Sequence, residues 1–264
     1  MIDQSLQREL RARFNPEGSD LRNMQLRMLE MLVYLDRLCR DNGIRYWLSS
    51  GTLLGAVRHG GFIPWDDDVD IEMHIDDYDR LLALLSNEKT YVLQTRDTDV
   101  NYVLPYGKIR DRNSSVEETY RCISKYDGCW IDLFPLQKKT KLRAKIANRL
   151  YAFLVWYPFL KSPAEGVSAR VIRGKKIFYG GFARFGRFLS EHLPYKYLYH
   201  ASGSRFYAKR LPSEIYPLSE VEFEGHKFLA PKDCDAYLKR IYGEYMKLPD
   251  IDKIEIHALK LKLW

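Results

Sequence analysis

The sequence predicts an α+β protein, a mixed sheet with flanking helices and a basic, mainly helical insert. Three observations carry that expectation. Segments with apolar residues at three- and four-residue steps alternate with short runs that are apolar throughout or alternate at period two. Apolar residues fill 46% of 264 positions against 29% charged, which supports a buried core and argues against general disorder. Basic charge is concentrated: Lys138 to Arg187 holds thirteen Lys and Arg against one acid, Glu165, although the whole chain is only +7. The remainder is therefore net acidic, and the basic stretch suggests a surface that meets something anionic.

Residues 21–42 read as a helix. Met24, Met28, Leu32, Leu35 and Cys39 share one face, Asp20 is the candidate N-cap and Gly43 the stop. Arg45 to Ser49 reads as a short buried strand; Gly51 breaks it, and Thr52 to Arg58 forms one or two helical turns. A loop with turn chemistry at both ends runs from His59, read as a plain polar loop residue, to Pro64. Asp66 to Met73 then alternates acidic and apolar residues in its second half, from Asp68 on, predicting a strand with Asp66, Asp68 and Asp70 on one face. Asp76 is the expected cap of an amphipathic helix carrying Tyr78, Leu81, Leu82 and Leu85. Further strands are expected at Tyr91–Thr95, Tyr102–Arg110 and Trp130–Phe134. After the basic aromatic stretch, Val221–Leu229 reads as a hairpin turning at Glu224-Gly225, and Lys232 to Tyr242 as a helix stopped by Gly243. Three units result: a core, 1–137; the insert, 138–207; and a hairpin and helix, 208–264, that complete the core.

Four cysteines form no CxxC pair and no zinc-like Cys/His spacing. The first residues lack an apolar signal-peptide core, and no run approaches the roughly 20 apolar residues that span a bilayer. A reduced, cytoplasmic location is expected.

The chemistry centres on Asp68-Val69-Asp70. Two carboxylates one residue apart on a strand point the same way and repel unless a cation lies between them. Mg²⁺, or Mn²⁺, suits such a site, because it is held by one or two carboxylates together with substrate phosphates. Ser50, Gly51 and Thr52 stand where a strand turns into a helix, a place whose amides and hydroxyls favour phosphate. Asp132, between Ile131 and Leu133, is a carboxylate that is costly to bury unless it is paired, metal-bound or capping a turn.

The run from Tyr46 to Asp70, with Ser49-Ser50-Gly51-Thr52, Gly60-Gly61-Phe62-Ile63-Pro64-Trp65 and Asp66-Asp67-Asp68-Val69-Asp70, resembles the signature of the LicD family. Lys108-Ile109-Arg110, the Asp132 strand, Phe223-Glu224-Gly225-His226 and Tyr242-Gly243-Glu244-Tyr245-Met246 add to the resemblance. It implies a nucleotidyltransferase-like fold, with Asp68, Asp70 and Asp132 as catalytic and metal-binding carboxylates. Ser50, Gly51, Thr52, Lys108 and Arg110 would bind the donor. The 16 residues between Gly51 and Asp68 exceed the usual spacing of the superfamily.

The implied activity is transfer of phosphocholine from CDP-choline to a hydroxyl of a cell-surface glycan, of lipopolysaccharide or teichoic acid type, or to its lipid-linked precursor. The implied alternative is a CDP-polyol donor, ribitol or glycerol. A nucleic-acid-binding or nucleotide-adding protein is the remote one, since no nucleic-acid motif accompanies the basic charge. A choline head group needs an aromatic face, with Trp47, Trp65, Tyr102, Tyr106 and Trp130 as candidates. The basic insert, with its aromatic run Tyr151 to Leu160, is expected to touch an anionic membrane at the inner face of the plasma membrane.

Overall fold

The computed structural model describes residues 2–99, 102, 104–118, 125–151, 169–192, 196–201, 203, 208–254 and 258–263. Two helices open the chain, α1 (Gln4–Phe14) and α2 (Asp20–Asp41). The sequence reading passed over α1: it buries only Leu10, too narrow an apolar stripe to show as a period. Ser19, rather than Asp20, caps α2 by accepting the Arg22 amide. The predicted face of α2, Met24 to Cys39, is buried as expected.

The chain continues through β1 (Tyr46–Leu48), α3 (Ser50–His59), β2 (Asp70–His74), α4 (Ile75–Leu85), β3 (Tyr91–Gln94), β4 (Gly107–Asp111), β5 (Ser114–Glu118) and β6 (Trp130–Lys138). The helices α5 (Lys141–Tyr151) and α6 (Ala169–His192) follow, then β7 (Leu198–His200) and one turn of helix, α7 (Pro212–Ile215). The hairpin β8 (Ser219–Phe223) and β9 (His226–Ala230), α8 (Cys234–Tyr242) and β10 (Ala258–Leu263) end it. The main sheet has the order β1-β2-β6-β4-β3, with β7 beside the far end of β6. Among the described residues β2 and β6 run parallel and the other pairs of this sheet are antiparallel, so the sheet is mixed and the class is α+β.

Several boundaries move, each for a local reason. β2 starts at Asp70, not Asp66: β1 ends at Leu48, opposite Ile71, and the ladder with β6 begins at Asp70, opposite Asp132. The Asp66 amide instead closes a turn onto the Ile63 carbonyl at 2.9 Å. β4 starts at Gly107, not Tyr102: its partner β3 ends at Gln94, and Pro105 cannot donate to a ladder. His74, not Asp76, is the N-cap of α4, while Asp76 and Asp77 lie in its first turn. β6 runs on to Lys138, where β7 pairs with it, so the basic segment is joined to the sheet at both ends. The aromatic run beyond Tyr151 lies outside the described residues.

The loop after α3 is held from two sides. A Cβ on Gly55 would stand 2.4 Å from the Gly61 carbonyl oxygen, so helix and loop can approach this closely only through glycine. From the C-terminal hairpin, the Glu224 amide donates to the Gly60 carbonyl at 3.1 Å. The Glu224 carboxylate accepts the Phe62 amide at 3.1 Å and pairs with Arg22 at 2.9 Å. Residues 208–264 therefore brace the segment that leads into the acidic strand.

Candidate active site

Strand register assembles the site. The parallel β2–β6 ladder sets Asp70 beside Asp132, and the antiparallel β4–β6 ladder sets Lys108 on the other side of Asp132. Asp68 joins them from the extended segment before β2: Asp68, Asp70 and Asp132 each offer an oxygen, all within 4.8 Å of one another. The Lys108 amine lies 3.0 Å from Asp132 Oδ1 and 3.3 Å from Oδ2. It also stands 4.6 Å from the centre of the Trp130 ring.

The turn into α3 fixes Asp70 through its backbone. The Ser49 amide donates to the Asp70 carbonyl at 3.1 Å, and the Asp70 amide donates to Thr52 Oγ1 at 2.8 Å. Thr52 is thus committed to holding the strand. Ser50, at φ 47°, starts the ten-residue helix α3 in the left-handed region, a strained conformation for a side-chain-bearing residue. Gly51 follows, and a Cβ there would stand 2.7 Å from an Asp66 carboxylate oxygen. Asp66 therefore lies against the helix start rather than in the three-carboxylate cluster. The long gap from Gly51 to Asp68 is taken up by the rest of α3 and the braced loop.

Crowding sets the electrostatics. Burial, then Asp132 and Asp67, pushes the Asp68 carboxyl up to about 7, with Lys108 opposing. Burial, then Asp68, Asp132 and Asp66, holds Asp70 well above the usual carboxylate range. Such a set resists full ionisation alone and is relieved by a hard cation, so an all-carboxylate donor set of this kind fits a divalent ion. A group with a raised folded pKa stabilises most below its unfolded pKa and loses that contribution as pH rises through the folded value. Metal-free Asp68→Asn is accordingly expected to gain in Tm over wild type by several degrees between pH 5 and pH 8. Thermal scans of both proteins in chelator check this; a gap that stays constant across the range would show Asp68 already ionised at pH 5.

Other predicted residues have different surroundings. Arg110 is buried, donating to Gln94 Oε1 at 2.7 Å and the Gly128 carbonyl at 2.9 Å, and it flanks Trp130. His59 ends α3 rather than sitting in a loop; it accepts from Arg58 at 2.9 Å and meets Gln7 at 2.6 Å. Burial and then the Arg58 charge push its pKa down to about 3. Trp47 is sealed in the core, while Trp65 packs on Phe14 and His59. Tyr102 is buried, and Tyr106 lies against Phe134.

Sequence reasoning missed two features. Tyr242, 40% exposed, ends α8 with a hydroxyl that feels Asp70, Asp66 and Asp68; lost solvation first, then these charges, raise its pKa. Glu72, two residues past Asp70 and fully buried, receives Arg210 Nη2 at 2.5 Å, the Tyr237 hydroxyl at 2.5 Å and a contact from His200 at 2.9 Å. Burial alone would raise the Glu72 pKa; the Arg210 charge and His200 hold it well below the usual range. The Tyr237 hydroxyl also reaches Ser49 Oγ at 3.1 Å, tying this network to the turn at Ser50. The acidic alternation along β2 was the available signal for Glu72; nothing local marks Arg210 as its partner.

The chain is similar in sequence to known proteins. The family model for the nucleotidyltransferase domain of LicD, FKTN and FKRP matches residues 43–158, spanning β1, α3, β2 and β6. The lipopolysaccharide cholinephosphotransferase LicD of Haemophilus influenzae is 30% identical over 91% of this chain and 96% of its own length. The ribitol 5-phosphate transferase FKRP of Homo sapiens is 46% identical over 25% of this chain, covering 14% of that protein. The ribitol-5-phosphate transferase FKTN of Mus musculus is 34% identical over 32% of this chain and 16% of its own. With one relative matched over nearly its full length and the acidic strand inside the matched domain, the chain belongs to the LicD family.

Proposed function

We propose that this protein transfers phosphocholine from CDP-choline to a hydroxyl of a cell-surface glycan, of lipopolysaccharide or teichoic acid type, or to its lipid-linked precursor, releasing CMP. The reaction would run at the cytoplasmic face of the membrane. The observation that carries the reading is the Asp68–Asp70–Asp132 cluster beside the start of α3, in a chain similar to a lipopolysaccharide cholinephosphotransferase. Asp68, Asp70 and Asp132 would hold Mg²⁺ or Mn²⁺, which supplies positive charge to the diphosphate and its leaving group.

The protein's own groups would do the rest. Amides at Ser50 and Gly51, at the positive end of α3, would take phosphate oxygens. Lys108, 3.0 Å from Asp132, would balance that carboxylate and the incoming phosphate together. In the transfer, the acceptor oxygen bonds to phosphorus, the bond from phosphorus to the CMP oxygen breaks, and the hydroxyl proton passes to Asp132. Arg110 would support this only through Trp130 and the strand, since its guanidinium is engaged by Gln94 and Gly128.

A polyol donor, CDP-ribitol or CDP-glycerol, is the second reading. In its favour, Trp47 is sealed in the core and the Trp130 ring is flanked by Lys108 and Arg110, leaving fewer aromatic faces for a quaternary ammonium. Purified protein with Mg²⁺, a lipopolysaccharide or teichoic acid acceptor and each CDP-alcohol in turn, scored by CMP release, decides the matter. CDP-choline is expected to give the highest rate. A faster polyol would exchange the two readings, and acceptor-dependent CMP release from none of them would end both.

A further inference from the structure

The helices α5 and α6 carry several large apolar side chains on the outside. On α5 the buried positions are Ala144 and Ala147, while Leu142 and Ile146, one turn apart, are exposed. On α6, Ile177, Phe178, Phe185 and Phe188 are each at least 55% exposed. At 3.6 residues per turn these four fall within about 100° of arc, so they form one face rather than scattered exceptions. Single exposed apolar residues are ordinary, but six on one helical pair are not. Between the helices lies an apolar cleft lined by Ile146, Ala147, Phe182, Phe185 and Leu189.

By sequence both helices are strongly basic. α5 contains Lys141, Arg143, Lys145 and Arg149 and no acid; α6 contains Arg170, Arg173, Lys175, Lys176, Arg184 and Arg187 against Glu191 alone. Among the described residues no helix is long and apolar enough to cross a membrane. An exposed apolar face on two basic helices, neither of them long and apolar enough to cross a membrane, matches the chemistry of a segment lying in the boundary of an anionic bilayer.

The pair is also anchored to the catalytic core. Arg143 donates to the Gly186 carbonyl at 2.6 Å, joining the two helices. Arg187 pairs with Asp76 at 2.8 Å and with Asp79, both on α4, which follows the catalytic strand β2 directly. Lys139, before α5, donates to the carbonyls of His200 at 3.0 Å and of Ala201.

We propose that the exposed apolar face of α5 and α6, with Leu142, Ile146, Ile177, Phe178, Phe185 and Phe188, docks this protein on an anionic lipid surface. The inference goes beyond the transferase reading and would hold whatever the donor. It is tested by co-sedimentation of the full chain with vesicles of phosphatidylcholine alone or mixed with phosphatidylglycerol, at low and high salt. The wild type is expected to bind the anionic vesicles at low salt, to lose most of that binding at high salt, and to leave neutral vesicles largely unbound.

Two variants separate the contributions. Ile177→Ser, Phe178→Ser, Phe185→Ser and Phe188→Ser together, all exposed positions outside the site, should cut vesicle binding by about tenfold or more. Lys145→Gln, Arg149→Gln and Arg184→Gln together should cut it by at least about fivefold. Circular dichroism and CMP release without vesicles report that both proteins remain folded. Absence of wild-type binding at low salt overturns the proposal. So does binding that the serine variant retains in full. A wild-type dimer in sedimentation that the serine variant dissociates, with no vesicle binding by either, assigns the face to a second copy and overturns it as well.

Discussion

Asp70→Asn is expected to lower metal-dependent CMP release by about a thousandfold or more, the scale of several kcal/mol of lost charge stabilisation. The fold should survive, because β2 is held at this point through main-chain groups: the Asp70 amide on Thr52 and its carbonyl on Ser49. Asparagine keeps both contacts and removes one of three mutually repelling carboxylates. The metal-free variant should therefore melt no lower than metal-free wild type, while the rise in Tm that Mg²⁺ or Mn²⁺ gives the wild type should shrink. Asp68→Asn should behave alike. A variant that keeps near-normal turnover and still needs metal would remove Asp70 from the metal site. Loss of turnover with a collapsed Tm would mean that the residue acts through the fold.

Much of this arrangement is legible in the sequence because local rules dominate where the chain is regular. Met24 to Cys39 keeps a helical period for four turns, and that face is buried against the core. Glu224-Gly225 turns a hairpin, and Gly243 stops α8. Asp68 and Asp70 stand out because two acids flanking a fully buried Val69 make little sense as a solvated turn. What stays hidden depends on partners distant in sequence. β10 pairs with β5, about 140 residues earlier; Leu259-Lys260-Leu261-Lys262-Leu263 alternates at period two and was passed over, and nothing local names β5 as its partner. Register hides as well: the sequence offers Lys108 and Arg110 as equals, yet Lys108 meets Asp132 while Arg110 is engaged by Gln94 and Gly128. Irregular backbone is the third case, since period two extends β2 back to Asp66 although no partner strand reaches that far.

Arg210 shows the same dependence at its most consequential. Its guanidinium is 1% exposed and meets Glu72 at 2.5 Å through Nη2 and at 3.2 Å through Nε, while Nη1 donates to the Ala208 carbonyl at 2.6 Å. Its backbone makes an isolated bridge to Leu198 of β7, so it links the segment after the basic insert to β2. Removing one member of a buried pair leaves the other charged and without compensation, which typically costs about 3–5 kcal/mol. Arg210→Met is therefore expected to destabilise the protein on that scale in urea unfolding. Adding Glu72→Gln should recover more than half of the loss, because a neutral amide can still accept from the Tyr237 hydroxyl. Turnover should fall in the single variant beyond what its unfolded fraction explains, since Tyr237 bridges Glu72 and Ser49, and Ser49 holds the Asp70 carbonyl. A single variant within about 1 kcal/mol of wild type would show that Glu72 is neutral in the folded protein. A double variant as unstable as the single one would place the loss in Arg210 packing rather than in the orphaned carboxylate.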